Sequence, residues 1–147
     1  MLLSARAMMG PCSNTKAAMD TKKPLHFSEL PPEVWYEGSD REIRGRALCD
    51  VGGRAKIGVG MLELGPGCNT KPGHYHTQEE EHLFVLDGQA TLYLGDQTHP
   101  LVPGDYVCFP AGQPTPHHIE NHGPDTFRYL MIGDRQDDDV VVSADSD

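Results

Sequence analysis

Apolar and polar residues alternate with a period of two along most of this chain, in short runs separated by glycine, proline and aspartate. Period two marks a strand with one buried face, because successive side chains point to opposite sides. From Gly45 onward the runs are "GRALCD", "AKIGVGMLEL", "GHYH", "EHLFVLDG", "QATLYLG", "THPLVPGD", "YVCFPAG", "PHHIENHG" and "FRYLMIGD". Asp87-Gly88 and Gly95-Asp96 fall between successive runs and predict two tight hairpins. Eight or nine short strands with almost no helical periodicity predict an all-β sandwich or barrel over residues 45–133.

The flanks read differently. Residues 1–24 are expected to be a disordered leader, with a mitochondrial presequence as the competing reading. Residues 25–44, which include "HFSELPPEVWYEG", predict a mostly irregular arm with one helical turn at Pro32–Val34 and Trp35 anchoring it to the domain. Residues 134–147, "DRQDDDVVVSADSD", predict an acidic, solvated tail.

The alternation also sorts the polar residues. If His74 and His76 face inward, Tyr75 faces out; if Glu81 faces inward, Leu83 and Val85 join it, while His82, Phe84 and Leu86 face away. In "PHHIEN", His117 and Ile119 share one face, and His118 and Glu120 share the other. One interior can thus collect His74, His76, Glu81 and His117. Three imidazoles and a carboxylate suit Fe(II), Mn(II), Ni(II), Co(II) or Zn(II), and the absence of a thiolate argues against a Cys-rich structural zinc. Glu79 and Glu80 read as solvated acids, with Glu80 as the ligand in a register one residue shorter. His82 and His118 read as surface or interface histidines, Cys108 as a buried inert thiol, and Met61, Tyr93, Phe109 and Met131 as core.

Charge and composition narrow the partners. A net charge of -10 argues against nucleic acid and anionic membrane surfaces. No apolar run approaches the roughly 20 residues of a membrane span. The expected partner is a small molecule, and the expected location is the cytoplasm. The four cysteines, Cys12, Cys49, Cys68 and Cys108, are dispersed without a CxxC pair and read as thiols.

The spacing resembles the cupin superfamily. Its first motif, HxH, three or four residues, Glu, six residues, Gly, is matched by His74-Tyr75-His76, Glu81 and Gly88. Its second is matched by Gly104, "DYVCF", Pro110-Ala111-Gly112, His117, "HIE" and Asn121. The chain departs from the pattern in two loops: six residues separate Gly67 from His74, and four separate Gly112 from His117. The resemblance implies a double-stranded β-helix, or jelly-roll barrel, in a small single-domain bacterial-like cupin. It implies that His74, His76, Glu81 and His117 bind a divalent metal, with up to two positions of an octahedron open to substrate or oxygen. The implied activity is that of a small metalloenzyme, an Fe(II)-type dioxygenase or a metal-assisted isomerase or lyase acting on a small polar molecule. The alternative is a non-catalytic cupin that binds a sugar or a carboxylate. Outward-facing Phe84 and Leu86, with Leu92 or Tyr93 across the expected hairpin, need a cover, and the resemblance implies a homodimer.

Overall fold

The computed structural model describes residues 23–49 and 56–144. Among these residues eleven strands follow in chain order: β1 Glu33–Trp35, β2 Ile43–Ala47, β3 Ile57–Leu64, β4 His74–His76, β5 Glu81–Asp87, β6 Ala90–Leu94, β7 Gln97–Leu101, β8 Tyr106–Phe109, β9 His117–Glu120, β10 Phe127–Asp134 and β11 Val141–Ser143. Each of the nine expected runs contains or overlaps one of them. The strands form two antiparallel sheets, β1-β2-β3-β10-β5-β8 and β11-β4-β9-β6-β7. This is the all-β jelly-roll architecture that the alternation predicts.

The core lies between the sheets, as period-two strands require. The larger sheet contributes Leu62, Leu64, Leu83, Val85, Phe127 and Tyr129, and the smaller one Leu92, Leu101 and Ile119. Each such side chain contributes about 1.5–3 kcal/mol when fully buried. Strand β10 shows the principle most clearly, with buried and half-buried residues alternating along its length.

Several local expectations give way to tertiary pairing. The helical turn lies at Phe27–Glu29, capped by His26, while Val34 is extended and pairs with Arg44 of β2. Trp35 does pack on the core, over Gly45, where a Cβ would stand 2.6 Å from the indole. Asp87-Gly88 is not a hairpin. It carries the chain from one sheet to the other, since β5 pairs with β10 and β8, and β6 with β7 and β9. Gly88 has φ +75°, and a Cβ there would collide with the Thr126 carbonyl, so glycine serves a close crossing rather than a two-residue turn. Gly95-Asp96 does close a hairpin, joining Leu94 to Gln97. Leu92, expected as an outward residue across the first hairpin, is buried in the core. Phe84 and Leu86 do face outward, 40% and 38% exposed.

The acidic end is the largest departure. Instead of a solvated tail, Val141–Ser143 forms β11 and pairs with His76, Tyr75 and His74 of β4. Cys49, Cys68 and Cys108 form no disulfide. The leader, apart from Lys23 and Pro24, and Cys12 lie outside the described residues. No helix among the described residues is long and apolar enough to cross a membrane.

Candidate metal centre

Two facing sheets bring the four candidate residues together. His74 and His76 project from β4, His117 projects from β9 directly opposite His74, and Glu81 begins β5 in the other sheet. All four are buried, at 7%, 3%, 4% and 2% exposure for His74, His76, His117 and Glu81. Donor atoms of His74, His76 and Glu81 all lie within 4.8 Å of one another. His117 falls outside that tight group of three, but its Nε2 stands 3.3 Å from Glu81 Oε2, and His76 Nε2 stands 3.4 Å from the same oxygen.

Neither of those contacts has hydrogen-bond geometry. His76 Nε2, His117 Nε2 and Glu81 Oε2 are buried without a hydrogen-bond partner. A buried polar atom without a partner costs about 1–3 kcal/mol, so three around one point call for a shared cation. The distal nitrogens are held in a matching way. His74 Nδ1 lies 3.2 Å from the Pro72 carbonyl, and His76 Nδ1 lies 2.6 Å from Asp139 Oδ2. With protons on those Nδ1 atoms, the inner Nε2 lone pairs are available to a metal. Phe109 stacks on His117 with 3.7 Å between ring centroids and fixes its plane.

The charges follow from burial and proximity. Burial and the neighbouring His117 lower the His74 pKa to about 4, so it is a neutral imidazole. Burial also works to lower His76, but the carboxylates of Glu81 and Asp139 outweigh it and raise His76 to about 9. Burial pushes Glu81 upward, yet the facing imidazoles of His117 and His76 hold it well below the usual carboxylate range.

Two carboxylates behind His76 escaped the sequence reading. Asp139, in the supposed tail, takes His76 Nδ1–H on one oxygen and the backbone N–H groups of Gln78 and Glu79 on the other, at 2.9 and 3.0 Å. Glu79, expected in solvent, is 2% exposed, with Oε2 3.8 Å from His76 Nδ1 and Oε1 accepting from Gln136 N at 3.2 Å. Asp139 clamps the 77–80 loop by its amides and so turns Glu79 inward. The signal available in sequence was the β-branched run Val140–Val142 after the aspartates, which marks a strand rather than a tail. Glu80, the alternative ligand, stays outside, and His82 and His118 are half-buried on outer faces, as the alternation requires. Asn121, the last residue of the second motif, is buried and donates to the Leu64 and Asp125 carbonyls, so it clamps a turn.

A pocket of about 140 Å³ reaches His76 and His117 between Tyr75, Leu94, Phe109, Pro110, Gln113 and Thr115. The walls expected from Leu83, Val85 and Ile119 are instead sealed in the core. Among the described residues no lysine or arginine lines this pocket.

Residues 60–133 match the cupin domain family. The chain belongs to the cupin superfamily. This cupin is 28% identical over 120 residues to the quercetin 2,3-dioxygenase of Bacillus subtilis (strain 168), a match over 76% of this chain but only 36% of that protein. Its fold also superposes on a sugar phosphate isomerase of the cupin superfamily from Silicibacter pomeroyi, with 27% identity, a TM-score of 0.76, and 85% and 83% of the two chains covered. The polyketide cyclase RemF of Streptomyces resistomycificus shares the fold at 24% identity and a TM-score of 0.71, over 85% of this chain and 87% of that one.

Proposed function

We propose that this cupin is a metal-dependent enzyme whose ion is held by His74, His76, Glu81 and His117 and contacts a small, polar, uncharged substrate. The observation that carries this reading is the set of buried, unpartnered donor atoms of His76, His117 and Glu81 facing one point beside a pocket. A divalent ion there supplies Lewis acidity or, if redox-active, electrons for oxygen chemistry. The protein's own residues do the rest. Phe109 and Leu94 exclude water, and Gln113 and Thr115 offer neutral hydrogen bonds to a substrate in the pocket. No cationic side chain lines the pocket among the described residues, which counts against a phosphorylated substrate despite the likeness to a sugar phosphate isomerase. Histidine-rich sites with a carboxylate suit Fe(II) and oxygen, so dioxygenase chemistry leads and isomerase or lyase chemistry follows. The working location is the cytoplasm.

The test supplies Fe(II), Mn(II), Ni(II) and Zn(II) in turn and follows oxygen uptake and product on diketones, thiols, catechols and keto-sugars. Conversion with one metal supports the reading. Binding without conversion by any metal would make the protein a non-catalytic ligand binder instead.

Two predictions arise directly. Once the protein is stripped of metal, His76 carries a proton at pH 7, its pKa having been raised to about 9. Ligation requires the neutral ring. Uptake of one ion at pH 7 should therefore release about one proton from this side chain. Apparent affinity should climb with pH by about tenfold per unit and level off above a pH of about 9. Calorimetry in buffers of different ionisation enthalpy reads the proton directly; metal uptake without proton release would contradict the assignment. The second prediction concerns Asp139, which orients His76 and strengthens it as a donor. Asp139→Asn should weaken metal binding by roughly 10- to 100-fold, the usual effect of losing a carboxylate behind a ligating histidine. Unchanged affinity in a chelator competition would remove Asp139 from the site.

A second subunit is the proposed cover for Phe84 and Leu86. Light scattering should give twice the chain mass, and a monomer at high micromolar concentration would end that reading.

A further inference from the structure

Glu80 and His82 flank Glu81 in sequence but face solvent, with side chains 50% and 32% exposed against 3% for Glu81. There they meet Cys108 of the edge strand β8. His82 and Cys108 are direct cross-strand partners, which sets their Cβ atoms about 4.5–5.5 Å apart. One donor atom from each of Glu80, His82 and Cys108 lies within 4.8 Å of the other two. Among the described residues, this is the only group of three metal-ligating side chains that shares no residue with the inner centre. Its parts are already held in place. Glu80 Oε1 lies 2.5 Å from His82 Nε2, and the Tyr106 hydroxyl lies 2.5 Å from His82 Nδ1. The Glu80 amide donates to Asp134 at 2.8 Å, and the Glu80 carbonyl sits where a Cβ on Gly133 would come within 2.8 Å.

A thiol, an imidazole and a carboxylate form a softer set than the sulfur-free inner one, and three protein donors leave a fourth position open. A reactive nucleophile is the rival use of such a cysteine, and it needs a thiolate stabilised by its surroundings. Here burial and the Glu80 charge push the Cys108 thiol pKa up. A bound cation reverses that balance, because a coordinating thiol loses its proton to the metal.

We propose that Glu80, His82 and Cys108 form a second divalent-metal site, selective for zinc- or cobalt-like ions, on the outer face of the larger sheet. The two sites stand back to back across the start of β5, on alternate residues of one strand.

Sulfur distinguishes them in an experiment. Reduced, metal-stripped, full-length protein is titrated with Co(II) in the absence of oxygen. The outer site should give a near-ultraviolet thiolate-to-cobalt charge-transfer band, which the inner site cannot produce. Cys108→Ser should abolish the band, and added Zn(II) should bleach it in the wild type. His82→Ala and Glu80→Gln should weaken cobalt binding, as read from the band, by roughly 10- to 100-fold. His76→Ala should leave the band in place. No band in the wild type, or a full band in Cys108→Ser from one of the other cysteines, overturns the proposal. If Cys108→Ser fails to fold by circular dichroism, His82→Ala decides: unchanged cobalt affinity there overturns it equally.

Discussion

Stripping metal from the wild-type protein should lower its melting temperature by about 10 °C, and His76→Ala should melt at the lower temperature with or without metal. The size follows from mass action. An ion at about a thousand times its dissociation constant stabilises the fold by about 4 kcal/mol. For a chain of this length each kcal/mol moves the midpoint by about 2–4 °C. His76 is the decisive position because it touches both Glu81 and Asp139. Truncating it removes a donor and leaves two buried carboxylates facing a gap. Calorimetry with and without chelator, beside elemental analysis for about one ion at the inner site, checks the expectation. A wild type that purifies without metal and ignores chelator would exclude the inner centre.

Glu81→Gln should separate chemistry from folding. The amide fills the same space, and in the metal-stripped protein His76 keeps its 2.6 Å partner Asp139. The midpoint of the stripped variant should therefore fall by only a few degrees. Turnover should fall by roughly 100-fold or more, since even an outer partner of a metal site is worth up to about that much. The comparison pairs the melting of both stripped proteins with turnover of whichever panel substrate is converted. Equal turnover, or a variant that does not fold, would count against Glu81 as the charged ligand.

Much of this molecule is legible in the sequence, and the limits of that legibility have a physical pattern. His74, His76, Glu81 and His117 come to one interior because alternation along a strand is local information. Burial of all four, with Tyr75, His82 and His118 less buried, follows from period two alone. Asp87-Gly88 and Gly95-Asp96 look alike as short strings, yet one crosses between sheets and the other closes a hairpin. The difference is set by Thr126, far along the chain, which no local pattern reports. Asp139 is harder still. Nothing in Asp137-Asp138-Asp139 says which carboxylate is buried, because the choice depends on β11 pairing with β4 across more than sixty residues. Glu79 was misplaced for the same reason, since its loop is held by Asp139.

The position of Asp139 has an evolutionary reading. The cupin match ends at residue 133, so the carboxylate that orients His76 lies outside the stretch by which the family is defined. The four candidate ligands belong to the shared barrel, whereas their electronic adjustment is delegated to whatever follows its last long strand. Two cupins with identical motifs but different chain ends would then present the same nitrogen and oxygen donors with differently polarised imidazoles. Divergence of metal preference within such a fold needs no change to a ligand; it needs only a new ending.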